Sequence, residues 1–272
     1  MKCIHPIQIK NPGYYAALKE GDFDRAHTLP QRIEVPCGKC YYCQSKRRSE
    51  WTFRLWVETM NSTSCFFITL TYDDAHYPLD GKLSKRDFQL FIKRVRKKYG
   101  TGIRFFGCGE YGPTTRRPHY HLLIFNLPLS RNSLKDLTLS LQKLWTLGFS
   151  SISPGNINRI GYLTKYILKT DYNSEYKNFM LCSTKPAIGY QFKFSYDEVY
   201  ENSGKVNYKG HRSVMPRYYK NLLSRDQRKQ LSEKTKSKSE LAPSLMQRYL
   251  DYATEKNLSD RKLKTFTKKS QI

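Results

Sequence analysis

Between residues 65 and 169 the apolar residues switch period in a fixed order, and no other feature of the sequence limits the possible folds as strongly. Residues 65–72, CFFITLTY, are rich in β-branched and aromatic side chains and are followed by Asp-Asp, Pro and Asp-Gly turn formers, which predicts a strand and its exit. Ser84 with Asp87 three residues on resembles a capping box, and Phe88, Phe91, Ile92 and Val95 repeat at helical spacing up to about Lys98. Residues 103–110 read as a second strand, the turn-rich YGPTTRRP follows, and residues 119–125 read as a third, so the two strands form a hairpin. Ser133 and Asp136 open another helix whose Leu134, Leu137, Leu141, Leu144 and Trp145 make one apolar stripe, closed by Gly148. A short strand at 149–153 and a helix at 159–169, capped by Asn158, complete the series. The order strand, helix, strand, strand, helix, strand predicts an α+β fold of the split βαβ, ferredoxin-like kind: an antiparallel sheet with flanking helices, the first and third strands central.

Outside this core the signals thin out. Residues 44–60 read as an amphipathic helix with Trp51, Leu55, Val57 and Met60 available for a core. Residues 171–219 form a tyrosine-rich stretch with a hairpin expected around Asn202-Ser203-Gly204, and residues 221–272 read as basic helices of open packing or partly disordered chain. The expected organisation is a Cys-rich element and basic helix at 1–60, a core with its tyrosine-rich extension at 61–220, and a basic tail at 221–272. Lysine and arginine total 48 against 23 acidic residues, a net charge of +25. The last 52 residues carry only +7 of that, so the basicity belongs to the body. Self-repulsion of this size is relieved by a polyanion, and nucleic acid is the partner expected. No apolar stretch of ~18 residues could span a bilayer and no apolar signal core opens the chain, which leads to the expectation of a cytoplasmic protein without a membrane partner. Seven cysteines, an odd number, point to reduced thiols or metal ligation in place of a disulfide framework.

Three groups of residues carry possible chemistry. In Arg117-Pro-His-Tyr-His121 the histidines are two apart on a strand and share a face, so His119 and His121 either hold one divalent cation together or decorate a half-buried strand. Glu110 ends the preceding strand, and the intervening turn returns the chain beside it, making it the third metal ligand expected. In Gly161-Tyr-Leu-Thr-Lys-Tyr-Ile-Leu-Lys169, Tyr162 and Tyr166 are one helical turn apart, each with a lysine three residues later, Lys165 and Lys169. Such a helix either buries its rings with lysines in solvent or presents phenols for nucleophilic attack on phosphorus, which needs a neutralised phosphate. Cys37, Cys40 and Cys43 converge if the backbone turns tightly at Gly38, and Cys3 completes a closed thiolate zinc site; reduced, metal-free cysteines are the other reading. Cys65, Cys108 and Cys182 lie in or near apolar segments and are expected as core thiols. For the DNA backbone the basic side chains expected are Lys39, Lys46, Arg47, Arg48, Arg116, Arg117, Lys169 and Arg217, with Tyr111, Tyr190, Tyr218 and Tyr219 available for stacking on bases.

On these residues the chain resembles the HUH endonucleases, and more closely the replication initiation proteins of gokushovirus-type microviruses, which are single-stranded DNA bacteriophages. Phe67-Ile-Thr-Leu-Thr-Tyr72 looks like the family's first motif, Glu110-Tyr-Gly with Arg117-Pro-His-Tyr-His121 like its second, and Tyr162-Leu-Thr-Lys-Tyr166 like its third. Pro36-Cys-Gly-Lys-Cys-Tyr-Tyr-Cys43 and Pro216-Arg-Tyr-Tyr219 extend the likeness over most of the first 220 residues. The resemblance implies that residues 61–220 hold an HUH endonuclease core, that His119, His121 and Glu110 bind Mg2+ or Mn2+, and that Tyr162 and Tyr166 are nucleophiles assisted by Lys165. It further implies rolling-circle replication of a single-stranded DNA origin through a 5′-phosphotyrosine, with host helicase and polymerase as partners, in the cytoplasm of an infected bacterium. A plasmid-type replication protein or single-strand transposase would use the same site. A non-catalytic zinc-containing nucleic-acid-binding protein is the reading from another class.

Overall fold

The computed structural model describes residues 3–112, 115–128, 134–166 and 176–240, the side chains of the last five excepted. The chain divides into two compact units whose boundary falls between Arg47 and Arg48.

In the first unit a hairpin of β1 (Ile7–Lys10) and β2 (Arg32–Val35) pairs antiparallel from Ile7↔Val35 to Lys10↔Arg32. Between the two strands lie α1 (Pro12–Glu20) and α2 (Phe23–His27). Asn11 and Asp22 cap them by accepting from the backbone N–H of Gly13 and Arg25, satisfying donors that a helix start leaves open. Helix α3 (Tyr41–Met60) begins in this unit and continues into the second.

The second unit is built on β3 (Cys65–Tyr72), α4 (Lys85–Tyr99), β4 (Arg104–Tyr111), β5 (Pro118–Phe125), α5 (Leu134–Leu144), β6 (Gly148–Pro154) and α6 (Ile157–Lys165). Then come β7 (Phe179–Cys182), α7 (Tyr196–Glu201), β8 (Lys205–Tyr208), β9 (His211–Val214), α8 (Arg217–Lys220) and α9 (Arg225–Glu240). The main sheet has the order β6-β3-β5-β4-β7, every neighbouring pair antiparallel. The first and third strands of the expected series, β3 and β5, lie inside it, and β7 adds an edge that the apolar periods do not announce.

Helices cover both faces of this sheet, not one. On one face Leu70, Tyr120, Leu122 and Ile124 pack against Phe88, Phe91, Ile92 and Val95 of α4 and against Leu137 and Leu141 of α5. On the other, Phe67, Phe106, Leu123 and Phe125 meet Leu55 of α3 and Ile160, Leu163 and Tyr166 of α6. Double coverage explains why β5 is buried almost throughout. The opposite side of α3 sends Phe53 and Val57 into a third cluster with Phe192, Val199, Val206, Met215, Tyr219, Leu223 and Leu231. Of the core residues expected on α3, Leu55 and Val57 are fully buried, whereas Trp51 and Met60 are only partly so, and Phe53 takes the place that period analysis of a one-sided helix does not assign.

Several local expectations shift. Ser84 does cap α4, accepting from the Asp87 N–H at 3.1 Å. Helix α6 is capped by Asn156, not Asn158: its side chain accepts from the Arg159 N–H at 3.0 Å, which starts the helix two residues earlier. Ser133 as an opener of α5, and the end of α6 beyond 166, lie outside the described residues. Gly148 does not close α5 but opens β6. The expected hairpin is β8–β9, yet it turns at Lys209-Gly210, and Asn202-Ser203-Gly204 is the exit from α7. Leu231 of α9 is buried, so the start of the expected tail is packed, and residues 241–272 lie outside the description.

Candidate active site and metal centres

Cross-strand register assembles the first site. Glu110 on β4 sits directly opposite His119 on β5, and on the other flank Thr71 and Thr69 of β3 oppose His119 and His121. Residues paired across an antiparallel ladder share a face, so the carboxylate and both imidazoles point to the side covered by α6. Glu110 Oε1 lies 2.9 Å from His119 Nε2 and 3.0 Å from His121 Nε2.

The remaining ring nitrogens are held from behind. His119 Nδ1 donates to the Arg117 carbonyl at 3.1 Å, and since a carbonyl can only accept, Nε2 is the ring atom left to ligate. His121 Nδ1 is 3.0 Å from the Thr69 hydroxyl. Orientation through the second ring nitrogen is the habit of metal-binding histidines, and the donor set of two imidazoles and a carboxylate fits a divalent cation. Glu110 is 4% exposed; burial alone would raise its pKa, but its bonds to the two histidines and their charge outweigh that and hold it at about 2.

Helix α6 lays its tyrosines on this group. The Tyr166 ring stacks on His121 with centroids 5.4 Å apart and planes 13° from parallel, and Tyr162 meets the same imidazole edge-on at 5.5 Å. The two phenol rings are 5.3 Å apart. Their surroundings differ: Tyr162 is 37% exposed, Tyr166 only 7%. Burial, followed by the Glu110 charge and hydrogen bonds with Tyr162 and Glu110, drives the Tyr166 phenol far above its ordinary value. Lys165 is exposed, with Nζ 6.0 Å from the Tyr162 ring centroid, while Lys169 lies outside the described residues.

Two groups on α3 dock α6 there: Arg48 donates to the Gly161 carbonyl at 3.3 Å, and the Thr52 and Thr164 hydroxyls are 3.2 Å apart. Three residues near the site escape sequence reasoning. Thr69 orients His121, Phe67 stacks on it at 5.5 Å, and Arg159 lies over the Phe67 ring at 5.0 Å. Thr69 and Phe67 share a parity on β3, a usable signal once β3 is paired with β5; Arg159 precedes Tyr162 by one helical turn, as Lys165 follows it.

The second centre lies within the first unit. The Sγ atoms of Cys3, Cys37, Cys40 and Cys43 all lie within 4.8 Å of one another, Cys3 being 3.5 Å from Cys37 and 3.8 Å from Cys40. Gly38, at φ 74°, makes the turn that gathers them. Backbone N–H groups of Cys37 and Cys40 donate to the sulfurs of Cys3 and Cys37, each at 3.3 Å. Burial, with neighbouring thiols adding to it, pushes Cys43 up to about 12. At Cys37 burial is outweighed by the N–H groups of Cys40 and Lys39, and its pKa falls to about 6. Four sulfurs this close suit a tetrahedral cation. Of the other thiols, Cys108 is buried and Cys65 and Cys182 pack against the core partly covered.

The expected DNA contacts scatter. Lys39, Lys46, Arg47, Arg116 and Arg217 are exposed, and Arg48 is half-buried. Arg117 is tied down, donating to Asp74 at 2.6 Å and to the Tyr72 carbonyl at 3.2 Å. Tyr219 is fully buried and donates to the Gly189 carbonyl, Tyr218 lies against the Arg54 guanidinium, Tyr111 accepts from the Leu83 N–H, and Tyr190 lies under Arg104. Burial removes Tyr219 from any path for bases. No described helix is long and apolar enough to cross a membrane.

Residues 65–171 match a family of replication-associated proteins, the one described by its ORF2 members. The chain is 29% identical to the replication-associated protein VP4 of Bdellovibrio phage phiMH2K, over 83% of this chain and 78% of that protein. It is 26% identical to the replication-associated protein ORF4 of Chlamydia phage 1, over 89% of this chain and 65% of that one. It is 29% identical to the replication-associated protein ORF2 of Spiroplasma virus 4, over 68% and 66% respectively. The alignments thus span just under two thirds of the length of two of these relatives. The matched interval contains the whole Glu110, His119, His121, Tyr162 and Tyr166 group, and the kinship implied by the motifs holds: the chain is a relative of the replication-associated proteins of bacteriophages.

Proposed function

We propose that the protein is a metal-dependent HUH endonuclease that nicks and rejoins single-stranded origin DNA, starting rolling-circle replication through a 5′-phosphotyrosine. The observation that carries this reading is the contact of both α6 phenols with His121, itself joined to Glu110 and His119. Glu110, His119 and His121 would hold magnesium or manganese, the ions used by the resembled family, and the cation would neutralise charge on the scissile phosphate.

A tyrosine Oη attacks phosphorus; the new O–P bond forms as the P–O3′ bond breaks, the phenol proton passes to solvent, and the departing 3′ oxygen leaves as a hydroxyl. Lys165 supplies positive charge beside Tyr162. Because a phosphodiester replaces a phosphodiester, the step reverses without ATP, and a second tyrosine can cut after one round while the first end is resealed. Host helicase and polymerase would work on the displaced strand and the freed 3′-hydroxyl, in the cytoplasm of the infected bacterium. Cys3, Cys37, Cys40 and Cys43 would hold a structural zinc ion.

The test is to incubate wild type, Tyr162→Phe, Tyr166→Phe and the double variant with labelled single-stranded DNA and Mg2+ or Mn2+, then run a denaturing gel. Wild type is expected to form a covalent adduct and the double variant none; an adduct in the double variant sinks the assignment. Binding without any adduct would favour the non-catalytic zinc protein, a reading the cysteine cluster alone would support.

A further inference from the structure

Beside Tyr162 the second unit carries an open cleft lined by Arg48, Asn158, Arg159, Gly161, Tyr162 and Lys165 among others. Arg48 and Arg159 stand outside all three motifs. Three of the lining side chains are cationic, and among the described residues no carboxylate lines the cleft. Two of the cations are held in place. Arg48 is fixed by its bond to the Gly161 carbonyl, and Arg159 rests on the Phe67 ring, which in turn stacks on His121. The floor is open at Gly161, where a side chain would meet nothing within 4 Å. Tyr162 opens into this space, whereas Tyr166 does not line it and lies buried against Glu110 and His121.

We infer that this cleft is the seat of the scissile strand: Arg159, with Arg48 and Lys165, grips backbone phosphates of single-stranded DNA and delivers one of them to Tyr162, so that Tyr162 makes the first cut. The inference rests on the nicking reading above and adds to it a binding residue, Arg159, and an order for the two tyrosines. A strand lying among these three cations meets the Tyr162 hydroxyl at the cleft wall. To reach Tyr166 from the same side it would have to displace Tyr162, whose ring lies 5.3 Å from that of Tyr166. Single-strand binders of this type draw affinity from backbone charge, so the effect of each cation is read in the salt dependence of binding.

The experiment has two arms. In metal-free buffer, where no cutting occurs, binding of a short fluorescent dT oligonucleotide is measured against salt for wild type, Arg159→Ala and Arg159→Lys. Arg159→Ala is expected to weaken binding several-fold and flatten the slope of log K against log salt by about 0.7, the loss of one phosphate contact. Arg159→Lys should recover most of the slope. A slope unchanged in Arg159→Ala overturns the cleft assignment. In the second arm the metal-loaded full chain is mixed with a randomised single-stranded library, and adducts are counted in Tyr162→Phe and Tyr166→Phe. First-round adduct is expected to vanish in Tyr162→Phe and persist in Tyr166→Phe. The reverse result overturns the order while leaving the nickase intact; an adduct in the double variant, or none in wild type, brings down the nicking reading and this inference with it.

Discussion

Single side chains decide both whether the second unit holds together and whether its site is aimed. Glu58 is completely buried in the middle of α3 and forms an ion pair with Arg104, whose guanidinium also donates to the Pro186 and Ala187 carbonyls at 3.0 Å each. The same carboxylate accepts from the Gly189 N–H at 2.7 Å. One pair therefore ties α3, the sheet and the segment after β7 together. Removing one member leaves the other charged and buried, so Glu58→Ala is expected to lower unfolding free energy by ~3–5 kcal/mol, seen as a shift of the urea midpoint. Glu58→Met with Arg104→Met should cost clearly less than the sum of the single changes; strict additivity would show that the pair is not coupled. At the metal group, Thr69→Val removes the hydroxyl that faces His121 Nδ1 while keeping the shape of the side chain. Manganese affinity measured by titration calorimetry is expected to fall ~10–100-fold with the fold unchanged. An unaltered affinity would mean that Thr69 does not orient the ligand. Neither Glu58 nor Thr69 stands out in the sequence, because each derives its role from a partner 46 or 52 positions away.

Elements are far more legible than their joints. The segments 65–72, 84–98, 103–110 and 119–125 match β3, α4, β4 and β5 to within a residue or so, because each carries a long, uninterrupted apolar period. The pairing of Glu110 with His119 follows from the same hairpin. What period analysis misses is short or shared: β1, β2 and β7 have four residues each, too few to display alternation, and α3 buries two faces, which blurs a one-stripe pattern. Gly148 shows how a joint misleads. Its position after an apolar helix suggests a helix terminator, but it sits at φ 146° at the start of β6, where a Cβ would come within 2.3 Å of the Asp73 N and 2.4 Å of the Thr71 O. Backbone on the neighbouring strand cannot yield as a flexible side chain can. Gly148→Ala is accordingly expected to destabilise by more than ~1 kcal/mol and to loosen the β3–β6 edge, seen as faster amide exchange at Thr69 and Thr71 than in β4. Equal exchange in the two strands would argue that the edge absorbs the methyl group.

At the scale of the whole molecule, a charge of +25 describes a polyanion binder, yet charge alone does not say which parts are built around metal. The cysteine triplet announces a site in the first unit by its spacing, and Cys3 reaches it only once the chain has folded its first hairpin back to the turn at Gly38. Such a unit has little apolar core of its own: Ala17, Ala26 and Tyr42 are its buried hydrophobic residues among those described. Small modules of this kind commonly draw their folding energy from the metal they bind. Alkylation separates the four cluster thiols from the three core thiols. Burial raises Cys65 to about 11 and also lifts Cys182, so both stay protonated and slow to react at mildly alkaline pH, and Cys108 is enclosed. With zinc bound, iodoacetamide is expected to modify none of the seven quickly. After a strong chelator, peptide mass spectrometry should find rapid labelling at Cys3, Cys37, Cys40 and Cys43 together, while Cys65, Cys108 and Cys182 still lag because the second unit keeps its own core. Rapid labelling of all seven would mean that the second unit unfolds with the first, and fast labelling of the four before chelation, in protein purified with zinc, would show that the sulfurs hold no ion.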